Sequence, residues 1–407
     1  MTGRRVAFFT DSFHETNGVA LTSREYVNFA RRRGVPLLSV HAGPQNTITQ
    51  DGSVTTFEFR RGRMRWNLEH DLAIDFLFWR HWSRLRAALE AFRPDLVHIT
   101  GPGDAGVMGA LAAHRLRIPL AASWHTNLHE FAASRLSKLL RRFPNGMRSR
   151  AASWAERVSL DLCVQFYRLA RVIFAPNPEL VEMLAQRTGR PAFLMSRGID
   201  TTLFSPTRRQ RGDKTFVIGY VGRLSPEKNV RMLAELDRAL NASGLADFHF
   251  LIVGEGSERT WLRQALPRAK LPGILRGEEL ARAYASMDAF VFPSRTDTFG
   301  NVVLEAMASG VPAIVSSAGG PRFLVEDGRT GFVAESTAGF AAAVARLRHD
   351  PTLRTAVAAL ARKTAERYSW DRVLEEVHAH YDACFPGLNA SRDAAGLPQV
   401  RTRSASA

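Results

Sequence analysis

Two parallel, doubly wound α/β units in series are the fold class that this 407-residue chain predicts. Three observations carry that reading. Short apolar runs alternate with helix-period segments through the first half. The pattern breaks near Ser196-Arg197-Gly198-Ile199-Asp200, and Phe204-Ser205-Pro206 opens a basic stretch ending at Lys214. The alternation then starts again, and the length suffices for two full hydrophobic cores.

In the first half, strands are expected at Val6–Thr10, Pro36–His41, Leu96–Thr100, Ile118–Ser123, Val172–Ala175 and Phe193–Met195. Each is a short apolar run of the kind buried on both faces of a parallel sheet. Helices are expected over Val19–Arg33, Ile74–Phe92, Gly106–Arg117 and Glu179–Arg187, and this alternation argues for parallel order. The second series is Phe216–Val221, Phe248–Val253, Ala289–Phe292, Ala313–Val315 and a turn at Gly331–Val333. Beyond Tyr368-Ser369-Trp370, the spacing of Val373, Val377 and Tyr381 predicts a last helix from Arg372 to Phe385. After Pro386 the tail turns small and polar, which predicts disorder.

Hydrophobic residues at 45% and charged residues at 23% fit a globular protein. No run approaches the roughly 18 apolar residues of a bilayer span. Val6-Ala7-Phe8-Phe9 is too short for a signal-peptide core. Cys163 and Cys384 stand far apart, as core residues of a reducing compartment, so a cytoplasmic, disulfide-free protein is expected. The formal charge of +16 asks for an anionic partner. It concentrates in residues 135–150, where Arg135, Lys138, Arg141, Arg142, Arg148 and Arg150 flank an apolar stripe of Leu136, Leu139, Leu140 and Phe143. A core helix with a solvated basic face and a peripheral membrane contact both fit that pattern. Nucleic acid does not, since the aromatic sheet motifs of RNA binders are missing.

The stretch from Ala289 to Gly320 carries the chemistry. Its strand ends at Pro293, a polar loop brings Arg295, Asp297 and Thr298, and a helix begins after Phe299-Gly300 at Asn301. Glu305 lies in the opening turns of that helix, and Gly310-Val311-Pro312 ends it. Loops after parallel strands lie at the ligand edge of the sheet. Carboxylates there accept hydrogen bonds from vicinal hydroxyls, while helix-start N–H groups and the Gly319-Gly320 turn suit phosphate. Hydroxyls plus phosphate describe a nucleotide-sugar donor.

This segment resembles the signature of the retaining glycosyltransferases of family 4, in which a second Glu follows the first after seven intervening residues. The branch it looks most like holds GDP-mannose-dependent α-mannosyltransferases and related glycolipid glycosyltransferases. One departure stands out: the first Glu is Asp297 here, one methylene shorter. Over residues 5–385 the resemblance implies the GT-B architecture, two Rossmann-like domains facing each other across a cleft. Its expected division is an acceptor-side domain at 1–198 and a nucleotide-sugar domain at 199–366. A helix at 367–387 then crosses back to the first domain, before a disordered tail at 388–407.

Other motifs fit the same frame. In Gly222-Arg223-Leu224-Ser225-Pro226-Glu227-Lys228, two cations leave a strand at the edge where diphosphate charge would develop. The resemblance gives Arg223 and Lys228 the diphosphate, Glu305 the ribose, and Asp297 with His125 the donor sugar. Gly254 and Gly273 would lie near the base, with Phe299, Gly300 and Asn301 on the donor side. Asn17 and Gly18 belong to a loop after the first strand, where glycine admits a phosphate or an acceptor. Gly101-Pro102-Gly103-Asp104-Ala105-Gly106 matches the dinucleotide fingerprint literally, but no acid follows at ribose spacing. Gly103 and Asp104 are therefore expected at the acceptor pocket. No metal-ligand motif and no cofactor is expected. The partners implied are a nucleotide-sugar donor and a lipid or glycan acceptor. A non-catalytic basic surface-binding protein and an NAD-linked oxidoreductase are the alternatives.

Overall fold

A computed structural model describes residues 4–15, 17–62, 65–69, 72–75, 77–125, 145–213, 215–245 and 247–386. The first unit runs β1 (Val6–Thr10), α1 (Gly18–Arg33), β2 (Leu37–Ala42), β3 (Thr47–Asp51), β4 (Val54–Phe59), β5 (Arg65–Glu69) and β6 (Leu72–Asp75). It continues through α2 (Trp82–Phe92), β7 (Leu96–Ile99), α3 (Asp104–Leu116), β8 (Leu120–Ser123), α4 (Asn145–Tyr167), β9 (Val172–Ala175), α5 (Pro178–Thr188) and β10 (Ala192–Leu194). Its main sheet has the order β10-β9-β8-β7-β1-β2-β4-β3, parallel except for the edge strand β3. β5 and β6 form a separate antiparallel hairpin.

The second unit runs β11 (Phe216–Val221), α6 (Met232–Ala242), β12 (Phe248–Val253), α7 (Arg259–Ala265), β13 (Lys270–Gly273), α8 (Gly277–Ala285) and β14 (Ala289–Phe292). Then come α9 (Asn301–Ala308), β15 (Ala313–Ser316), β16 (Gly331–Ala334), α10 (Thr337–His349), α11 (Pro351–Ala365) and α12 (Trp370–Cys384). Its six strands, ordered β13-β12-β11-β14-β15-β16, are all parallel. The basic stretch between the units is pinned rather than loose. Arg209 and Arg211 pair with Asp288, and Arg362 donates to the carbonyls of Thr201, Phe204 and Ala308.

α12 belongs to the first unit's core. Val373, Leu374, Val377 and Tyr381 are buried with Phe8, Tyr26 and Phe174 against one face of the first sheet. Arg4 pairs with Asp382, and Arg33 with Glu375, so α12 is tied to the start of β1 and to α1 by charge as well as by burial. A crossing helix was expected at this position, and it is present.

The expected helix over Ile74–Phe92 is half replaced. Ile74 and Asp75 belong to strand β6, and the helix proper starts at Trp82. The cause is Asp75, whose buried carboxylate accepts from Gly62 N (2.7 Å) and Leu77 N (2.9 Å) and pairs with Arg80 at 2.6 Å. An Asp that bonds the backbone two residues on makes a turn, not a helix. The β3–β4 hairpin was missed although Asp51-Gly52 between alternating segments is its ordinary signal. β13 also escaped notice, and Gly331–Val333 is part of strand β16 rather than a turn. Among the described residues no helix is long and apolar enough to cross a membrane. Residues 135–144 and the tail at 388–407 lie outside the described residues; 145–150 open α4.

Candidate active site

The loop between β14 and α9 is held in shape by glycine. Gly320 N donates to Asp297 O at 2.6 Å, and a Cβ on Gly320 would stand 1.9 Å from Thr298 O. The turn expected to receive phosphate thus receives the protein's own loop. Gly300, at φ +96°, starts α9 in the left-handed region. Phe299 is buried and packs edge-on to Tyr368, so its part here is structural.

From that loop Asp297 meets the turn after β11. Lys228 Nζ lies 2.7 Å from Asp297 Oδ1, while Oδ2 is buried with no partner among the described residues. Arg223 sits on the same turn, its carbonyl accepting from Tyr220 OH at 3.0 Å. Glu305 projects from α9 and accepts from Tyr284 OH at 2.7 Å. Burial pushes its carboxyl from 4.5 up to about 7, with the Tyr284 hydrogen bond pulling the other way. Tyr284 was not foreseen; it lies on α8 and no local motif marks it. Gly254 and Gly273 stand at the ends of β12 and β13, joined by a 2.8 Å bond from Gly254 N to Gly273 O.

The first unit reaches this loop directly. Thr298 Oγ1 donates to His125 O (3.1 Å), Asn177 Nδ2 donates to Thr298 O (2.7 Å), and Arg322 pairs with Glu179 at 2.9 Å. Gly18, at the start of α1, is so near that a Cβ would lie 3.2 Å from Nδ2 of Asn301. Asn17 is committed to its own helix: its side chain accepts from Ala20 N (2.9 Å) and donates to Ser12 Oγ (3.2 Å).

His125 ends a buried relay. Arg197, itself buried, donates to His125 Nδ1 at 2.7 Å. A guanidinium only donates, so His125 must carry its proton on Nε2 and give it to Ser123 Oγ, 2.7 Å away. Ser123 then donates to His98 Nε2 (2.9 Å) and His98 Nδ1 to the Tyr381 hydroxyl, which also accepts from Tyr26 OH (3.3 Å); Tyr26 OH in turn lies 3.1 Å from His378 Nε2. One fixed donor sets the tautomers of His125 and His98, from the cleft to the Tyr381 hydroxyl of α12. Burial, reinforced by the charge of Arg197, holds His125 well below its usual range and neutral. Both its ring nitrogens are occupied, so what it presents to the loop is its carbonyl oxygen. Thr126, Asn127 and His129 lie outside the described residues.

The glycine fingerprint after β7 binds an anion, but the anion is internal. Asp11 accepts from Gly103 N (3.1 Å), Ala105 N (3.0 Å) and Gly106 N (3.2 Å) at the start of α3. A Cβ on Gly103 would lie 2.5 Å from Asp11 Oδ1. A dinucleotide's pyrophosphate would need the place this carboxylate fills, which removes the NAD-linked alternative. Asp104, expected at the acceptor pocket, is buried and holds Arg61 through bonds of 2.8 and 3.0 Å. Burial first, then Asp104, pushes Asp11 up to about 7. Neither Asp11 nor Arg61 was foreseen, because their partners lie at the start of α3, more than 40 residues away in sequence.

Known proteins resemble this chain in sequence and in fold. The family model for glycosyltransferase family 4 matches residues 16–203, and that for group 1 glycosyl transferases matches 215–350. A GDP-mannose-dependent alpha-mannosyltransferase of Mycobacterium tuberculosis is 38% identical, over 74% of this chain and 76% of that protein. One from Corynebacterium glutamicum is 31% identical, over 81% and 76%. Sucrose-phosphate synthase from Thermosynechococcus elongatus superposes with TM-score 0.70 at 18% identity, over 94% and 99% of the two chains. The Anabaena protein HepE in complex with UDP gives 0.66 at 20%, over 93% and 100%. With two facing parallel sheets, a returning helix and relatives of this likeness, the chain belongs to glycosyltransferase family 4 and is a hexosyltransferase of GT-B fold.

Proposed function

We propose that this enzyme moves mannose from GDP-mannose to an acceptor hydroxyl with retention of configuration. The observation that carries the reading is the Lys228–Asp297 pair at 2.7 Å, with the second Asp297 oxygen unpartnered. It is a charge pair that a donor can divide. The ammonium turns to the diphosphate, and the carboxylate takes a sugar hydroxyl. Arg223 joins Lys228 in holding negative charge that grows as the glycosidic bond breaks, in place of a divalent cation. The donor phosphate takes the acceptor proton on the same face while the new bond forms, so no carboxylate pair of glycosidase type is needed. Residues 1–198 serve the acceptor in this reading and 199–366 the donor. The mannosyltransferase relatives support the choice of donor.

The test is protection against thermal unfolding by a panel of nucleotide-sugars. GDP-mannose should give the largest shift, and a larger one with a uridine donor would overturn the base and sugar assignment. Asp297→Asn should then damage turnover far more than GDP affinity, because the carboxylate faces the sugar. Wild-type turnover with Asn would remove Asp297 from the reaction.

Glu305 supplies a pH signature. As ribose acceptor it works ionised, so GDP affinity should rise with pH through about 7 and then level. Glu305→Gln should flatten that profile. Its contribution to stability has the opposite sign. The folded protein keeps a proton that the unfolded chain releases near 4.5, so this contribution is full below 4.5 and is lost as pH rises toward about 7.

An anionic membrane surface is the proposed setting, with the protein on the cytoplasmic side and a lipid or glycan acceptor. The basic residues of 135–150 support it, as does the helix that follows. α4 exposes Trp154, Val158 and Leu162 to solvent at 60%, 36% and 65%, one above the next on a single face. Binding to anionic vesicles should be salt-sensitive and should weaken with Arg141→Glu plus Arg142→Glu. A wild type that ignores such vesicles at low salt has a soluble acceptor.

A further inference from the structure

Three residues at the carboxyl edge of the first sheet take no part in the donor reading. His14 lies on the loop after β1, His41 near the end of β2, and Glu58 on β4. β2 and β4 are parallel neighbours, and their register sets His41 against Glu58. His14 Nε2 is 3.3 Å and His41 Nε2 3.9 Å from the same oxygen, Glu58 Oε2. One ligand atom from each residue lies within 4.8 Å of the others. Tetrahedral zinc with bonds of about 2.0–2.1 Å separates its ligand atoms by about 3.3 Å, so small side-chain motions close this set.

The supporting shell is already built. His41 Nδ1 meets Ser39 Oγ at 3.2 Å, leaving Nε2 to face the cluster, and Phe13 stacks on its ring at 3.8 Å. Glu58 Oε1 accepts from Gln45 N at 2.9 Å, which aims Oε2 at the two imidazoles. Gly43 makes room: a Cβ there would sit 2.2 Å from the Glu58 carboxyl carbon. His41 is buried and His14 half exposed, so the set closes on the protein side and opens to solvent.

We propose that His14, His41 and Glu58 form a zinc site with its fourth position open. Two neutral imidazoles and one carboxylate are a common zinc donor set, and the ion binds to them without redox change. By joining His14 to β2 and β4, the ion fastens the loop that leads to Asn17 and Gly18. It therefore orders the acceptor side of the cleft and leaves the donor side untouched.

Isothermal titration of metal-stripped full-length protein with zinc should give one ion per chain. Cobalt should give the visible absorption of a tetrahedral site. His14→Ala, on an exposed loop, should weaken zinc binding at least tenfold without altering thermal unfolding of the metal-free protein. Glu58→Gln and His41→Ala should weaken it further. GDP affinity should not change in any of them, so a failed donor reading and a failed zinc site remain distinguishable. No stoichiometric uptake, or uptake indifferent to both His14→Ala and Glu58→Gln, would overturn the proposal.

Discussion

Lys228→Ala is expected to lower kcat by on the order of a hundredfold or more. Removing one donor to developing charge costs about 2.7–4 kcal/mol of transition-state stabilisation. The structure adds a second effect. Without the ammonium 2.7 Å away, Asp297 stands as an unpaired carboxylate beside the place where the diphosphate would bind. KM should therefore rise as well, through like-charge repulsion. Lys228→Ala combined with Asp297→Asn should recover part of the GDP affinity but none of the turnover. Steady-state kinetics and calorimetry on the single and double variants separate the two effects. Near wild-type kcat in Lys228→Ala would mean that the charge is met elsewhere.

Gly320→Ala is the second change with a large expected effect. Its Cβ would press on the carbonyl of Thr298, at 1.9 Å from O and 2.2 Å from C. Backbone cannot rotate away as a side chain can, so the segment from Asp297 to Phe299 must move. Overpacking of this kind costs about 1–3 kcal/mol of stability. The functional loss should be greater, because displacing a positioned group by about 1 Å can cost on the order of a hundredfold in rate. A lower melting temperature together with lost GDP-mannose protection is the expected pair of results. A folded variant with wild-type kinetics would show that the loop has slack.

What could be read in the sequence tracks how local each interaction is. Asp297, Arg223 and Lys228 lie on loops that leave parallel strands, and Glu305 lies in the helix after one of them, so their neighbourhood was legible. Their partners were less so: that Tyr284 holds Glu305 depends on how α8 packs on α9. The glycine fingerprint at 101–106 was legible as a turn, and was expected to border the acceptor pocket rather than to hold an anion. Its occupant, Asp11, became visible only once β1 and β7 were paired. His125 was singled out by its place at a strand end. That Arg197 fixes its tautomer follows from a contact between segments 72 residues apart in sequence. Asp75 misled because an apolar run suits helix and strand alike, and one buried carboxylate decided between them.

The returning helix α12 also sets a timetable for biosynthesis. One face of the first sheet is completed by Val373, Leu374, Val377 and Tyr381, which leave the ribosome about 180 residues after β10. At roughly 5–20 residues per second, that interval is on the order of 10–40 s. Throughout it the nascent first unit carries an uncovered apolar sheet face, and His98 lacks the phenol that completes its hydrogen bonding. Chaperones that shield such surfaces should engage the nascent chain during this window and release it when the last helix emerges. A ribosome stalled before residue 370 would hold a second unit able to fold beside a first unit still waiting for its final piece.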